Sequence, residues 1–205
     1  MRRRWAILVL AVAAAIALVS CAGTPSGGTE AAQTSNAGQF HGSGFAACPP
    51  AARTAAGNAA KSAGQRLPAV PLTCMDGSGR SVRLDQLTGR PMVVNLWASW
   101  CQPCGQELPA FARLAASAGQ TLVVLGVSTK DDPGRAVAAG RDVGVRFANV
   151  FDPDVAVERS LGRTNLPITL LIGPDGVIRH VYAGPVLTDA ALAQLVQQYL
   201  GVPVR

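Results

Sequence analysis

Lysine is almost missing from this 205-residue chain: Lys61 and Lys130 are the only two, and arginine carries the rest of the positive charge. Histidine is equally scarce, with His41 and His180 alone, and aromatic residues make up 5% of the total. These shortages exclude whole classes of function. A formal charge of +6 would suit a nucleic-acid partner, but Arg2, Arg3 and Arg4 stand at the extreme N-terminus and the other arginines are scattered among acids. Without a basic patch or an aromatic ladder for bases, no nucleic-acid partner is expected. The two histidines lie far apart, and the five cysteines include one close pair. That falls short of the four ligands of a structural zinc site, so no metal is expected.

What is present begins with an address. Arg2–Arg4 precede the uninterrupted apolar stretch Trp5 to Val19, which is shorter than the ~20 residues that span a bilayer. Residues 1–20 therefore read as a secretory signal peptide. The stretch ends in Leu18-Val19-Ser20-Cys21, which resembles a bacterial lipobox and makes Cys21 the expected lipidation site and mature N-terminus. An uncleaved anchor helix, or an ordinary signal with Cys21 as a bystander, are the other readings. All three place the domain outside the cytoplasm. Residues 21–47 are mostly Gly, Ser, Thr, Ala, Asn and Gln, a composition that predicts a flexible tether. Residues 48–66 read as an N-terminal extension and 67–205 as the main domain.

With Cys21 set aside, Cys48, Cys74, Cys101 and Cys104 allow three pairings in an oxidising compartment. Cys101 and Cys104 are close enough to bridge locally, which leaves a structural disulfide between Cys48 and Cys74. In the alternative, Cys74 is buried and free and Cys48 is loose.

The hydrophobic pattern predicts an α/β domain. Two short extended segments flank the turn Asp76-Gly77-Ser78-Gly79. Met92 to Ala98 is a nearly continuous apolar run, as expected of a strand buried on both faces. A helix follows, with Leu108, Phe111, Leu114 and Ala115 on one face. A second strand spans Thr121 to Ser128, Asp132-Pro133 opens a helix to about Val143, and Phe147 to Phe151 is a third short strand. Asp152-Pro153 repeats the helix-start signal. Ile168–Ile172 and Val177–Ala183 form a hairpin around Gly173 to Gly176, and a last helix runs from about Thr188 to Leu200, stopped by Gly201.

Cys101 thus lies where a central strand hands over to a helix. The first-turn amides are unpaired there and the helix dipole is positive, so a thiolate is stabilised and becomes the nucleophile. The pair reads as a redox dithiol.

Several motifs agree with that reading. Trp100 to Cys104 spells WCQPC, Glu107 follows three residues later, Pro109 lies within the helix, and Asn165 to Gly176 reads NLPITLLIGPDG. From about Leu67 to Gly201 the sequence resembles the thioredoxin superfamily, and most of all its TlpA-like thiol-disulfide oxidoreductases, which include extracytoplasmic reductases of cytochrome c maturation. The resemblance implies a thioredoxin-like fold: a central mixed β-sheet flanked by helices, with an N-terminal β-hairpin and a TlpA-type insertion from Asp132 to about Phe151. It implies that Cys101 attacks and Cys104 resolves the mixed disulfide, with no cofactor beyond that dithiol. Pro167 would be cis and would shape, with Leu166, the groove that receives a client. Trp100 would cover the dithiol, its other reading being an ordinary core aromatic. Glu107 would handle the Cys104 proton, its other reading being a solvated helix residue. Asn95 departs from the buried aspartate of cytoplasmic thioredoxins, and Ile168 stands where threonine is frequent.

The implied partners are protein thiols and disulfides, apocytochrome c among them, together with a membrane electron donor or acceptor. Gln102-Pro103 puts no positive charge between the cysteines, which favours a reductant. A disulfide-forming oxidase is the alternative, and a non-enzymatic copper-carrying lipoprotein using His180 is a second. A peroxidase would need a Pro-x-x-x-Thr/Ser-x-x-Cys pattern, which is absent.

Overall fold

The computed structural model describes residues 36–51 and 64–204, which fall in one compact unit. The signal peptide, Cys21 and most of the expected tether lie outside the described residues. Seven strands make one mixed sheet. β1 (Pro71–Cys74) and β2 (Ser81–Arg83) form the expected N-terminal hairpin, and β3 (Met92–Trp97) is the central strand. After β3 come α1 (Gln102–Ala118), β4 (Val123–Thr129), α2 (Pro133–Asp142), β5 (Ala148–Asp152) and α3 (Ala156–Leu161). The hairpin β6 (Ile168–Ile172) and β7 (Ile178–Tyr182) and the helix α4 (Asp189–Leu200) complete the domain. Strand order is β2-β1-β5-β4-β3-β6-β7. β3, β4 and β5 run parallel, and the hairpins at either side join antiparallel.

Alternation along β3 divides the core. Val93 and Trp97 face a cluster containing Phe111, Leu114 and Leu192, from α1 and α4. Met92, Val94 and Leu96 face the opposite cluster, with Leu125, Leu170 and Val157. Every residue of β3 is buried, as the apolar run predicts for a central strand. The expected insertion is present as α2 and β5, and β5 fills the place between β4 and the N-terminal hairpin.

Three expectations need correction. The tether does not extend to residue 47. Asn36–Phe40 form a 3-10 turn, and Phe40 is fully buried, edge-on to Phe151 with ring centroids 5.5 Å apart. Phe45 is buried too, against Gly140 of α2, where an added Cβ would come within 2.7 Å of the ring. The Arg141 guanidinium donates to the carbonyls of Gly42 and Ser43, and the Ala46 N–H donates to the Arg146 carbonyl at 2.8 Å. Two aromatic side chains anchor a segment whose average composition gives no hint of it. The boundary at 67 is also too late. Gln65 accepts from the Ile178 N–H at 2.8 Å, and Arg66 pairs with Val177.

The third helix also starts later than expected. Asp152 does not cap a helix beginning at Pro153; it ends β5, and α3 starts at Ala156. Its carboxylate still serves that helix, accepting from the N–H groups of Ala156 and Val157 at 2.9 and 3.0 Å. The capping chemistry was in the sequence and the boundary was not. Asp132 does cap α2 as expected, accepting from the Arg135 N–H at 2.9 Å with Pro133 in the first turn.

Candidate active site

The dithiol lies at the C-terminal end of β3, where the chain enters α1. Cys101 is the N-cap of that helix, and its sulfur accepts from the Cys104 N–H at 3.3 Å. The two sulfurs are bonded at 2.02 Å. Cys101 keeps 6% exposure and Cys104 none, so the first residue touches solvent and the second does not. The positive end of α1 points at Cys101, which favours its thiolate when the bond is reduced.

Glu107 is buried, which rules out the solvated reading. Three residues beyond Cys104, it shares that side of the helix. Its Oε1 accepts from Asn95 Nδ2 at 2.7 Å and its Oε2 from the Leu187 N–H at 3.2 Å. Asn95 meets it because Val93, Asn95 and Trp97 point to the α1 face of β3. Burial pushes the Glu107 carboxyl above its ordinary range, and the bonds from Leu187 and Asn95 pull less strongly the other way. Asn95 Oδ1 is buried without a hydrogen-bond partner. A protonated Glu107 would have an O–H to donate, and a turned Asn95 amide offers that oxygen as acceptor.

A stability prediction follows from this arrangement. A raised folded pKa means that Glu107's contribution is complete below the ordinary carboxylate range and is lost as pH rises through the folded value. Glu107→Gln removes that loss, and Asn95 Oδ1 can accept from the new amide. The Tm of the variant should match wild type near pH 4 and exceed it by a few degrees at pH 8. Thermal melts across that interval check the sign, and a constant difference would refute it.

Pro167 follows a cis bond from Leu166, and both are half-buried beside a groove of about 420 Å³ that Arg163, Thr164 and Asn165 also line. Trp100 is not a core aromatic. It is 59% exposed, the one large apolar side chain so placed among the described residues, and its indole N–H donates to the Lys130 carbonyl at 2.8 Å. Cys48 and Cys74 are buried and bonded to each other, so the second pairing is the expected one. Asp76 lies near both sulfurs, but sulfurs spent in a disulfide are not thiolate ligands.

His180 does not approach the dithiol. It pairs with Leu171, which pairs with Val93, and about 13 Å of strand separates Val93 from the end of β3. Its ring stacks on Tyr199 at 4.1 Å. The copper reading therefore lacks its third ligand. Sequence reasoning missed Ser99 and Asp131, which are hydrogen-bonded beside Cys101. Asp131 was hidden next to Asp132, whose capping signal explained the acidic pair.

The chain is similar to the thiol:disulfide interchange protein DsbE of Escherichia coli (strain K12), 34% identical over 123 residues. That match covers 59% of this chain and 65% of the relative, so the chain spans just under two thirds of its length. The DsbE of Pseudomonas aeruginosa is 33% identical over 144 residues, which are 68% of this chain and 78% of that protein. Among solved structures, Mycobacterium tuberculosis DsbF in its mixed oxidized and reduced forms superposes with a TM-score of 0.58 at 26% identity, covering 65% of this chain and 98% of that one. The model of the AhpC/TSA family matches residues 63–181, more than half of the chain. The chain belongs to the AhpC/TSA family, with the fold and sequence of its thioredoxin-like thiol-disulfide oxidoreductases.

Proposed function

We propose that this protein is an extracytoplasmic thiol-disulfide oxidoreductase that reduces oxidised protein clients, apocytochrome c among them, while held to the membrane by lipid on Cys21. One observation carries the reading: a disulfide at the N-terminus of α1 joins a reachable Cys101 to a buried Cys104, with a buried carboxylate on the same helix. In the reduced protein the Cys101 thiolate attacks a client sulfur. The client S–S bond breaks and a mixed disulfide forms. Cys104 gives its proton to Glu107, whose raised pKa suits it as a base. The Cys104 thiolate then attacks Cys101, and the client leaves reduced by two electrons. The protein is left with the Cys101–Cys104 bond, which a membrane electron donor must reopen.

The groove beside Leu166 and Pro167 suits an extended client backbone, and Trp100 offers it an apolar contact. The buried Cys48–Cys74 bond fits an oxidising compartment, where such links persist. Direction rests on charge. Gln102-Pro103 brings no cation to the thiolate, and the Glu107 carboxylate makes it costlier, so the disulfide is the favoured form. Equilibrating the Cys101–Cys104 couple against thiol buffers tests this. A potential near or below about −250 mV is expected for the reductant, and one near about −120 mV would make the protein a disulfide donor instead.

A further inference from the structure

Strand β4 ends at Thr129, and the chain leaves it through Lys130 with a φ of 50°. Lys130 and Val155 are the two non-glycine residues with positive φ among those described. Such a backbone persists where its surroundings hold it. Here the Lys130 N–H donates to the Asp152 carbonyl at 3.1 Å, and its own carbonyl accepts from the Trp100 indole at 2.8 Å.

The bend aims the next side chain at the loop in front of the dithiol. One oxygen of Asp131 accepts from the Ser99 N–H at 2.5 Å, and the other accepts from the Ser99 hydroxyl at 2.6 Å. The Asp132 N–H at 2.8 Å and the Ser128 hydroxyl at 3.4 Å also donate to this carboxylate. Two consecutive residues before Cys101 are thus tied to two consecutive residues after β4.

We propose that Asp131 is a positioning residue for Cys101: it fixes the loop that presents the nucleophile, and its negative charge restrains thiolate formation there. This rests on the exchange reading above. Ser99 is two residues from Cys101, a span of at most about 7 Å between Cα atoms, and with the reach of the Cys101 side chain and the bond to Ser99 added, the carboxylate lies within about 14 Å of the sulfur. A like charge at that range disfavours the thiolate. With an effective dielectric of about 20 to 40, the penalty is about threefold to tenfold in the ionisation equilibrium. Other charges face the same region. The Lys130 ammonium lies in electrostatic reach of Glu158 on α3, Asp132 is occupied as the α2 cap, and Glu107 lies behind the buried Cys104. Asp131 is the one bonded to the loop itself. Restraining the thiolate favours the disulfide form, in keeping with a reductant.

The test uses the full-length reduced protein in detergent. Cys101 alkylation by iodoacetamide is followed against pH, alongside kcat/KM for a peptide with an internal Cys-x-x-Cys disulfide. Asp131→Asn keeps an acceptor for the Ser99 N–H and loses the charge. Its alkylation at pH 6 should be about threefold to tenfold faster, with the profile displaced to lower pH, and peptide reduction at pH 6 should quicken in the same direction. Asp131→Ala loses charge and anchor together; alkylation should again quicken while kcat/KM falls about tenfold or more. That divergence is what a merely structural residue would not give. An Asp131→Asn profile that superimposes on wild type would overturn the proposal, as would an Ala variant losing both rates in proportion to its unfolded fraction. A wild type whose Cys101–Cys104 pair cannot be cycled would instead sink the exchange reading itself.

Discussion

A Cys104→Ser variant should accumulate as a covalent mixed disulfide with its client, while Cys101→Ser should form no adduct at all. The asymmetry comes from burial. Cys101 has the residual exposure and the N-cap position that stabilises a thiolate; Cys104 is sealed beneath the first turn of α1. A client disulfide can therefore be attacked by Cys101 alone. Once the mixed bond has formed, its release depends on Cys104, because no other thiol among the described residues is free: Cys48 and Cys74 are bonded to each other. Serine in place of Cys104 leaves the adduct with no resolving nucleophile. Both variants should lose about a thousandfold or more in turnover, since residues that act as a unit fail together. What separates them is mass. Non-reducing electrophoresis of membranes should reveal a reducible adduct with Cys104→Ser and nothing with Cys101→Ser. The reverse pattern would exchange the two roles.

The adduct would also identify the client, which burial and hydrogen bonds do not name. The groove beside Pro167 is bordered by a short unpaired segment. Arg163, Thr164 and Asn165 are exposed there and free of β-sheet pairing. Trapping therefore does two things at once: it fixes the order of attack and returns the partner for sequencing.

Much of this site could be read from the chain because the chemistry is local. The apolar run of β3, the cysteine pair and the amphipathic start of α1 are contiguous, so the strand-to-helix junction follows from spacing alone. Asn95 and Glu107 are different. Their roles depend on a bond between residues 12 positions apart, and the register that joins them is set by the pleat of β3. Alternation places Asn95 on the α1 face, but nothing in the sequence says that its amide oxygen has no partner. Asp131 was hidden for a related reason. Its neighbour explained the acidic pair, and only the left-handed turn at Lys130 directs it to Ser99. Phe40 and Phe45 were the largest omission. Two aromatics in a Gly- and Ser-rich segment make no periodic pattern, so their burial is a tertiary fact invisible to composition.

Those two rings lead to the largest stability effects. Replacing Cys48 and Cys74 together with alanine should cost about 3.5 kcal/mol, because the bond closes a loop with a sequence separation of 26 in the unfolded chain. Substitution is the right tool, since a reductant would open Cys101–Cys104 as well. Phe40→Ala removes a fully buried ring from its edge contact with Phe151 and should cost about 3–5 kcal/mol. Against the 5–15 kcal/mol typical of a domain, either is a large share of total stability. The two act on different states. The disulfide restricts the unfolded ensemble, whereas Phe40 stabilises the folded one, so their costs add if the segment stays docked in each single variant. They do not add if the segment comes away as a unit. Without its disulfide, residues 36–48 would be held by Phe40, Phe45, the Arg141 contacts, the Ala46–Arg146 backbone bond and the Arg80 bond to the Cys48 carbonyl. Losing Phe40 as well should release the segment, and the triple variant should then lose less than the sum. Urea melts of the four proteins decide the point. Sub-additivity of about 1 kcal/mol or more would mark the segment as one cooperative strap, and strict additivity would show that Phe40 and Cys48 hold the chain independently.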